Sequence, residues 1–474
     1  MTATSTISTR ARPRLLAGLA AAAAPLFLRN TSSRAAEQPD IIILLTSDVR
    51  AGDEIALPQA LERIADNGTT FPNFFLTTTL CCPSRASIFT GLYSHNHGVH
   101  DNRDGWGGFA KRGNRGRTTG VLLQAAGYRT ASIGTYLNGS QPGRGKEPGW
   151  DIRPVAGGRK KKHKLGNRGV KANKRKRHRN KGGSGRSDAQ LVDAASSIIA
   201  ETAANQPLYL HVGFGTAHVP VKPRPPYAGQ FADAQIDRDS SFNEENVGDK
   251  PKYIRDLRRL RPGDEAWLDR LHQGRLEELL ALDDGIVEIW DALEARGRLD
   301  NTYVFLLSDN AMSLGHHRIY GKMVPYDTSV RAPFFAFGPE FAAGVVDERL
   351  VGNIDIAPTL VDLAGTDAPS MDGRSLLDPQ ERDAILLELL GTDLHSMNWP
   401  GPRADIPRFS ALRTPTHLYT EYRTGERELY DYISDPFEVE NLLAGVPAPE
   451  VEQLRAQLAF RLNQLRQCDR EGCY

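Results

Sequence analysis

The stretch with most chemistry to offer is Cys81-Cys82-Pro83-Ser84-Arg85, followed by Ala86-Ser87-Ile88-Phe89-Thr90-Gly91. A thiol followed by Pro and Ser suits the first turn of a helix. Proline tolerates a position that needs no backbone donor, and the free N–H groups there favour an anionic ligand. Arg85, one turn on from Cys81, would aim a planar guanidinium at the same place, and such a fork suits a tetrahedral oxyanion. The stretch therefore predicts a nucleophile facing a sulfate-like or phosphate-like group. A buried cysteine pair at the start of a core helix is the ordinary alternative, and only a longer pattern can displace it.

Those residues need a scaffold, and the chain supplies the signs of one. Ile41-Ile42-Ile43-Leu44-Leu45-Thr46 is a continuous apolar run ending in Ser47-Asp48. Such a run predicts a strand buried on both faces, hence a parallel or mixed sheet covered by helices. Leu57 to Asn67 predicts a helix capped by Gly68, and Val121 to Ala126 with Gly127 repeats that pattern. Further strands are expected at Arg129–Ile133, Leu208–Phe214, Tyr303–Leu307 and Phe334–Phe337, with a long helix over about Glu265–Arg296. Strands alternating with helices predict an α/β fold. Ser47, Asp48, His218, Asp309 and Asn310 all fall just after strand C-termini, where ligand sites lie in such sheets. From about Ser375 the signals change. A strand over Thr416–Tyr422 and an amphipathic helix over Pro449–Arg466 predict a small sheet packed by a terminal helix.

The chain has 474 residues, 40% of them hydrophobic, enough for one large domain with a smaller one attached. Its net charge of +1 hides an asymmetry. Between Arg159 and Arg186 there are fourteen Lys or Arg and no acid; without them the rest carries a formal −13. That run has too few apolar residues to fold alone, so it predicts a solvated, disordered insertion, which is either a docking arm for a polyanion or a surface loop of drifted composition. It has no aromatics for base stacking, which argues against sequence-specific nucleic-acid binding. Arg10, Arg12 and Arg14, the apolar run Leu15–Leu28 and Ser32-Ser33-Arg34-Ala35-Ala36 predict an export signal over residues 1–36. No membrane span is expected after its removal. Four cysteines do not make a disulfide scaffold, but Cys468 and Cys473 could close a small loop in an exported protein.

The long pattern from Cys81 to Gly91 resembles the sulfatase signature, in which the first cysteine is oxidised to formylglycine. The similarity continues through Gly91-Leu92-Tyr93-Ser94-His95-Asn96-His97-Gly98, Ser308-Asp309-Asn310, Gly321-Lys322, Asp355-Ile356-Ala357-Pro358 and Met371-Asp372-Gly373-Arg374. Cys81-Cys82, His95-Asn96-His97 and Gly134-Thr135-Tyr136-Leu137-Asn138 lean toward the N-acetylglucosamine-6-sulfatases. The resemblance implies an alkaline-phosphatase-like α/β/α sandwich with a mixed, mostly parallel sheet. It divides the mature chain into a catalytic domain at 37–374 and a C-terminal α+β subdomain at 375–474. It also implies hydrolysis of sulfate esters of sulfated carbohydrate, one calcium ion, and a formylglycine-generating enzyme as maturation partner. Hydrated formylglycine would attack sulfur and displace the alcohol, a route split into two easier steps. Carried over by position, Asp48, Asp309, Asn310 and the converted Cys81 would hold the metal. Arg85 would stabilise developing charge, and His218 and Lys322 would bind sulfate and protonate the leaving oxygen. Each alone has an ordinary alternative as a surface lysine, a turn histidine or a strand-end turn; their arrival together favours chemistry.

Two positions depart from the family pattern. Ser47 stands where the family has a second metal-binding Asp, and Thr135 where it has a Lys that contacts sulfate. The loss of an anionic ligand weakens a hard-cation site, and Thr supplies neither charge nor reach. Two expectations follow. One is a working sulfatase with an altered site; the other is an impaired relative that binds anionic polysaccharide through residues 159–186.

Overall fold

The computed structural model describes residues 38–140, 147–153, 187–391, 401–469 and 473. The export signal expected over 1–36 and the basic insertion expected over 159–186 lie outside these residues.

Strand β1 (Asp40–Thr46) is buried along its whole length, as its uninterrupted apolar run requires. In chain order the same sheet takes β2 (Thr69–Thr70), β3 (Arg129–Gly134), β4 (Leu208–Gly213), β5 (Thr302–Ser308), β6 (Phe334–Phe337) and β7 (Val345–Val346). Their spatial order is β7-β2-β6-β5-β1-β4-β3. β1 runs parallel to both β4 and β5, whereas β6 is antiparallel to β5 and to β2. The sheet is thus mixed and mostly parallel. Alternate β1 side chains enter different cores. Ile42 and Leu44 pack with helices α4 (Asp188–Glu201) and α5 (Pro262–Glu294). Ile41, Ile43 and Leu45 pack on the other side with α1 (Cys81–Thr90), α3 (Thr119–Ala125) and α6 (Ile356–Ala364). Between α1 and α3 lies the short α2 (Gly105–Lys111). This is the expected α/β/α sandwich, with β1, β4 and β5 side by side at its centre.

A second sheet is an antiparallel meander of β8 (Ile385–Leu389), β9 (Phe409–Arg413), β10 (His417–Tyr422) and β11 (Arg427–Asp431). One face packs on α7 (Pro449–Gln467) through Leu412, Tyr419, Leu458 and Leu462. The other meets Phe75, Tyr326 and Val330. Cys468 and Cys473 are bonded to each other.

The predicted helix over Leu57–Asn67 is shorter and irregular. It is helical from Pro58 to Ala65, and its second half is wound more widely. Gly68 is not a left-handed cap: a Cβ there would come within 2.2 Å of the Ala336 carbonyl oxygen. Close approach to β6, and not turn geometry, requires the glycine.

Candidate active site

Cys81 is the first residue of α1, and the helix that carries it is buried throughout. Asn353 anchors the helix's first turn, accepting from the Thr77 N–H at 3.1 Å and donating to Ser84 Oγ at 3.0 Å. The Cys82 N–H donates to Asn102 Oδ1 at 2.9 Å, leaving the thiol of Cys81 to face the ends of the central strands. The Arg85 guanidinium donates to Asp309 and, at 2.8 Å, to Asn138 Oδ1.

The remaining groups arrive from turns just after the central strands. After β1, Asp48 adopts a left-handed backbone (φ 65°), an unusual cost for a non-glycine residue. After β5, Asn310 donates to Asp309 Oδ1 at 3.0 Å, and Ser47 Oγ donates to the same oxygen at 3.3 Å. Lys322 follows the short strand Tyr320–Gly321, and its Nζ bonds Asp48 Oδ1 while lying 2.9 Å from Cys81 Sγ. His218, in the turn after β4, donates from Nδ1 to the Val219 carbonyl at 2.6 Å. Its Nε2 thereby faces Asp48 Oδ2 at 3.7 Å. All seven residues singled out in the sequence therefore meet in one cluster, six of them buried and His218 at its exposed rim. Thr135 contributes only its N–H, to the Gly213 carbonyl at 2.8 Å, and makes no side-chain hydrogen bond among the described residues. Asn138, three residues on, is the member of that segment that reaches Arg85.

The charges reinforce one another. Burial pushes the Asp48 carboxyl up, but Lys322, His218 and Arg275 together hold it below the ordinary carboxylate value. The hydrogen bond to Cys81 outweighs burial and, with the Asp48 charge, raises His218 to about 9. The two adjacent cysteines diverge. Burial pushes Cys82 up to about 11, whereas Lys322 and His218 overcome burial at Cys81 and lower it. Cys81 is thus the more readily ionised thiol of the pair.

Two buried oxygens here have no hydrogen-bond partner among the described residues, Asp48 Oδ2 and Asn310 Oδ1. Buried polar atoms are rarely left so. Together with Asp309 and the Ser47 hydroxyl they form a set of hard oxygen donors that fits a hard cation. The set is poor in anions: no group of three or more His, Cys, Asp or Glu suited to a metal occurs among the described residues.

Sequence reasoning missed Arg275. It projects from α5, fully buried, and donates to the carbonyls of Asp48 and, at 2.9 Å, of Ala217, with Asp53 Oδ2 at 3.1 Å as counter-charge. One guanidinium thus ties together the turns that carry Asp48 and His218. The available signal was an arginine amid the buried positions Leu268, Leu271, Leu276 and Leu279 of an amphipathic helix. His95 and Asn96 of the extended signature serve elsewhere. His95 meets Glu388 at 3.1 Å, and Asn96 donates to Asp372 and to the Cys468 carbonyl, joining the signature to the second sheet and the end of α7.

Comparison with known proteins bears on this arrangement directly. The sulfatase family profile matches residues 39–366, which include every residue of the cluster. The chain belongs to the sulfatase family. A second profile, the C-terminal region of N-sulphoglucosamine sulphohydrolase, matches residues 315–468. A Sulf-1 homologue of Caenorhabditis elegans is 33% identical over 353 residues, covering 72% of this chain and 49% of the relative. The chain thus spans about half the length of that protein. Human N-acetylglucosamine-6-sulfatase is 27% identical over 484 residues, covering 92% of this chain and 86% of its own. A protein solved in complex with its substrate D-glucosamine-2-N,6-O-disulfate superposes with a TM-score of 0.73 at 22% identity, covering 91% of this chain and 98% of that one. This sulfatase-family chain therefore shares the fold of that protein. Membership implies formylglycine and a metal ion in general terms. No helix among the described residues is long and apolar enough to cross a membrane.

Proposed function

We propose that the chain is a sulfuric ester hydrolase that cleaves O-sulfate esters of sulfated amino sugars or glycosaminoglycans outside the cytosol. The observation that carries this reading is the position of Lys322 Nζ, shared between Asp48 and Cys81 Sγ, beside two buried oxygens that lack partners. Formylglycine made from Cys81 and a bound calcium ion would supply a hydrated-aldehyde nucleophile and neutralisation of the sulfate oxygens. Asp48, Asp309 and Asn310 would hold the ion, with the Ser47 hydroxyl as a neutral neighbour.

The chain's own residues do the rest. Lys322 binds a sulfate oxygen through the Nζ that now faces the Cys81 sulfur. His218, fixed by its Nδ1 bond to Val219, presents Nε2 to the leaving alcohol oxygen and gives it a proton. Arg85, pinned on both sides by Asp309 and Asn138, meets negative charge as it develops without having to reorganise. Arg275 holds the Asp48 and His218 turns at a constant separation. The 27% identity to an N-acetylglucosamine-6-sulfatase supports the substrate class, and the Cys468–Cys473 bond supports an oxidising compartment.

The test is alcohol release from a fluorogenic aryl sulfate, with calcium present, by protein co-expressed with a formylglycine-generating enzyme. Wild type should turn over and Cys81→Ala should not. Formylglycine confirmed at Cys81 with no turnover would overturn the reading. Ser47 and Thr135 favour a second reading, an impaired relative that holds anionic polysaccharide through residues 159–186. Deletion of that segment should then abolish salt-sensitive heparin retention.

A further inference from the structure

Lys322 is delivered by a hairpin whose strands, Ser313–Leu314 and Tyr320–Gly321, pair antiparallel. The backbone there is left-handed at three residues that bear side chains: His317 (φ 50°), Arg318 (φ 62°) and Met323 (φ 77°), the last directly after Lys322. Such conformations cost free energy and persist only where the surroundings over-determine them. The stretch from Ser241 to Leu257 does so. The His317 N–H donates to the Ser241 carbonyl at 2.7 Å, and the Gly315 carbonyl accepts from the Asn243 N–H at 2.9 Å. The Arg318 guanidinium donates to the carbonyls of Glu244, Leu257 and Glu245 at 2.9, 2.8 and 2.9 Å.

One side chain of the turn does more than fill space. The His317 ring is fully buried against Tyr326, with centroids 4.1 Å apart. Its Nδ1 lies 2.9 Å from Glu244 Oε2, and its Nε2 faces Glu438 Oε2 at 3.9 Å. A neutral imidazole donates from one nitrogen only, so a carboxylate at each nitrogen calls for the imidazolium. The surrounding charges have partners of their own. Lys250 lies 3.4 Å from Glu244 Oε1 and 3.3 Å from Asp249 Oδ2. Glu438 accepts from the Tyr432 hydroxyl at 2.6 Å and from the Asp327 N–H at 3.1 Å. The Asp327 carboxylate pairs with Arg331 and Arg413, each at 3.3 Å. His316 meets Asp239 at 3.4 Å, and burial pushes it below 6.5. Burial opposes charge on His317 too, but its two carboxylates outweigh burial and hold it above 6.5. Glu438 lies in the loop after β11, so this one ring joins the Lys322 hairpin to the second sheet.

We infer that His317 is a positioning residue for the reaction at Cys81: clamped between Glu244 and Glu438, its ring fixes the hairpin that sets Lys322 Nζ beside the reacting atom. The inference rests on the sulfatase reading. It extends the machinery to a residue that touches no substrate, and through Glu438 to the second sheet.

The experiment is a double-mutant cycle in the mature full-length protein, with formylglycine confirmed at Cys81 by peptide mass and an aryl sulfate as substrate. His317→Gln should lower kcat/KM by about tenfold or more, since a displacement of about 1 Å can cost about a hundredfold. In a Lys322→Met background the same change should cost less than about twofold, because its effect passes through the lysine. The advantage of wild type over His317→Gln should also shrink as pH climbs through the folded His317 pKa, where the imidazolium is lost. His218 titrates in both proteins and cancels from that ratio. Glu438→Gln removes one wall of the clamp and should behave likewise, and it carries the cycle if His317→Gln does not fold. No loss in these variants, an equal loss in both backgrounds, or a ratio constant with pH would overturn the positioning role while leaving the sulfatase reading intact. If wild type does not turn over, the sulfatase reading fails, and crystal structures of the unconverted variants decide the hairpin alone. Lys322 displaced from Cys81 supports the clamp, and Lys322 still beside Cys81 overturns it.

Discussion

Two carboxylates in this molecule, Asp48 and Glu428, are fully buried and surrounded in opposite ways. Asp48 has a hydrogen-bonded cation on one oxygen, Lys322, and no hydrogen bond on the other, which His218 faces at 3.7 Å. Glu428, at the junction of the two sheets, is saturated: Tyr326 and Tyr430 donate to Oε1 at 2.8 and 2.6 Å, and Tyr422 donates to Oε2. Burial raises the Glu428 pKa in spite of those donors, whereas the cations around Asp48 reverse the effect of burial there. A saturated buried acid specifies packing and asks for nothing more. A buried acid with one oxygen open and three cations around it is prepared for a ligand that it does not itself contain. The junction holds structure; the cluster is the proposed site.

The largest effect expected from breaking this contrast is at Lys322. Lys322→Met should reduce aryl sulfate turnover by about a thousandfold or more, because a charged donor aimed at the reacting group is lost. It should also leave Asp48 buried without its cation, at a cost of about 3 kcal/mol, read as a lower denaturation midpoint. Restoration of that midpoint by calcium would show that the open oxygen and the lysine-facing oxygen serve the same ion. Next in size is Ser47→Asp. A third carboxylate beside Asp309 should tighten calcium binding by about tenfold or more, measured by titration calorimetry, and destabilise the calcium-free protein. If calcium binds equally to both forms, Ser47 does not face the ion.

Glu428→Gln is the matching change at the junction. One tyrosine hydroxyl loses its acceptor, so the thermal midpoint should fall by the equivalent of about 1–3 kcal/mol, while kcat/KM stays within about twofold. Loss of turnover at full stability would contradict the division into structure and site.

The same division explains what the letters of the sequence disclosed. Asp48, His218, Asp309 and Asn310 stand just beyond apolar runs, and strand ends are where an α/β sheet presents its ligands. Their convergence needed only the adjacency of β1, β4 and β5. Strands β8 and β9 were not individually legible, because Ile385–Leu389 is a short apolar run and Phe409–Arg413 alternates weakly; their identity comes from pairing with β10. Arg275 was hidden for a related reason. Its partners are backbone carbonyls more than fifty residues away, which no local pattern encodes. Gly68 looked like a cap because a glycine after a helix usually is one, yet its neighbour is a strand far along the chain.

The smallest effect tests the second junction contact, between His95 and Glu388. Burial lowers the imidazole pKa, but the hydrogen bond and charge of Glu388, with the Cys468 carbonyl and Asp372, raise it above 6.5. The other groups facing it are the stacked Tyr93 ring and His97, itself pushed down to about 3 and so neutral. A raised folded-state value means that the stabilisation is complete below pH 6.5 and disappears as pH climbs through the folded pKa. The melting temperature of wild type should therefore exceed that of His95→Gln most at mildly acidic pH, by the equivalent of about 1 kcal/mol, with the gap closing as the solution turns alkaline. A gap that is constant with pH would mean that the imidazole is neutral against Glu388. This end of the junction would then be held, as Glu428 is, by hydrogen bonds to neutral donors and not by an ion pair.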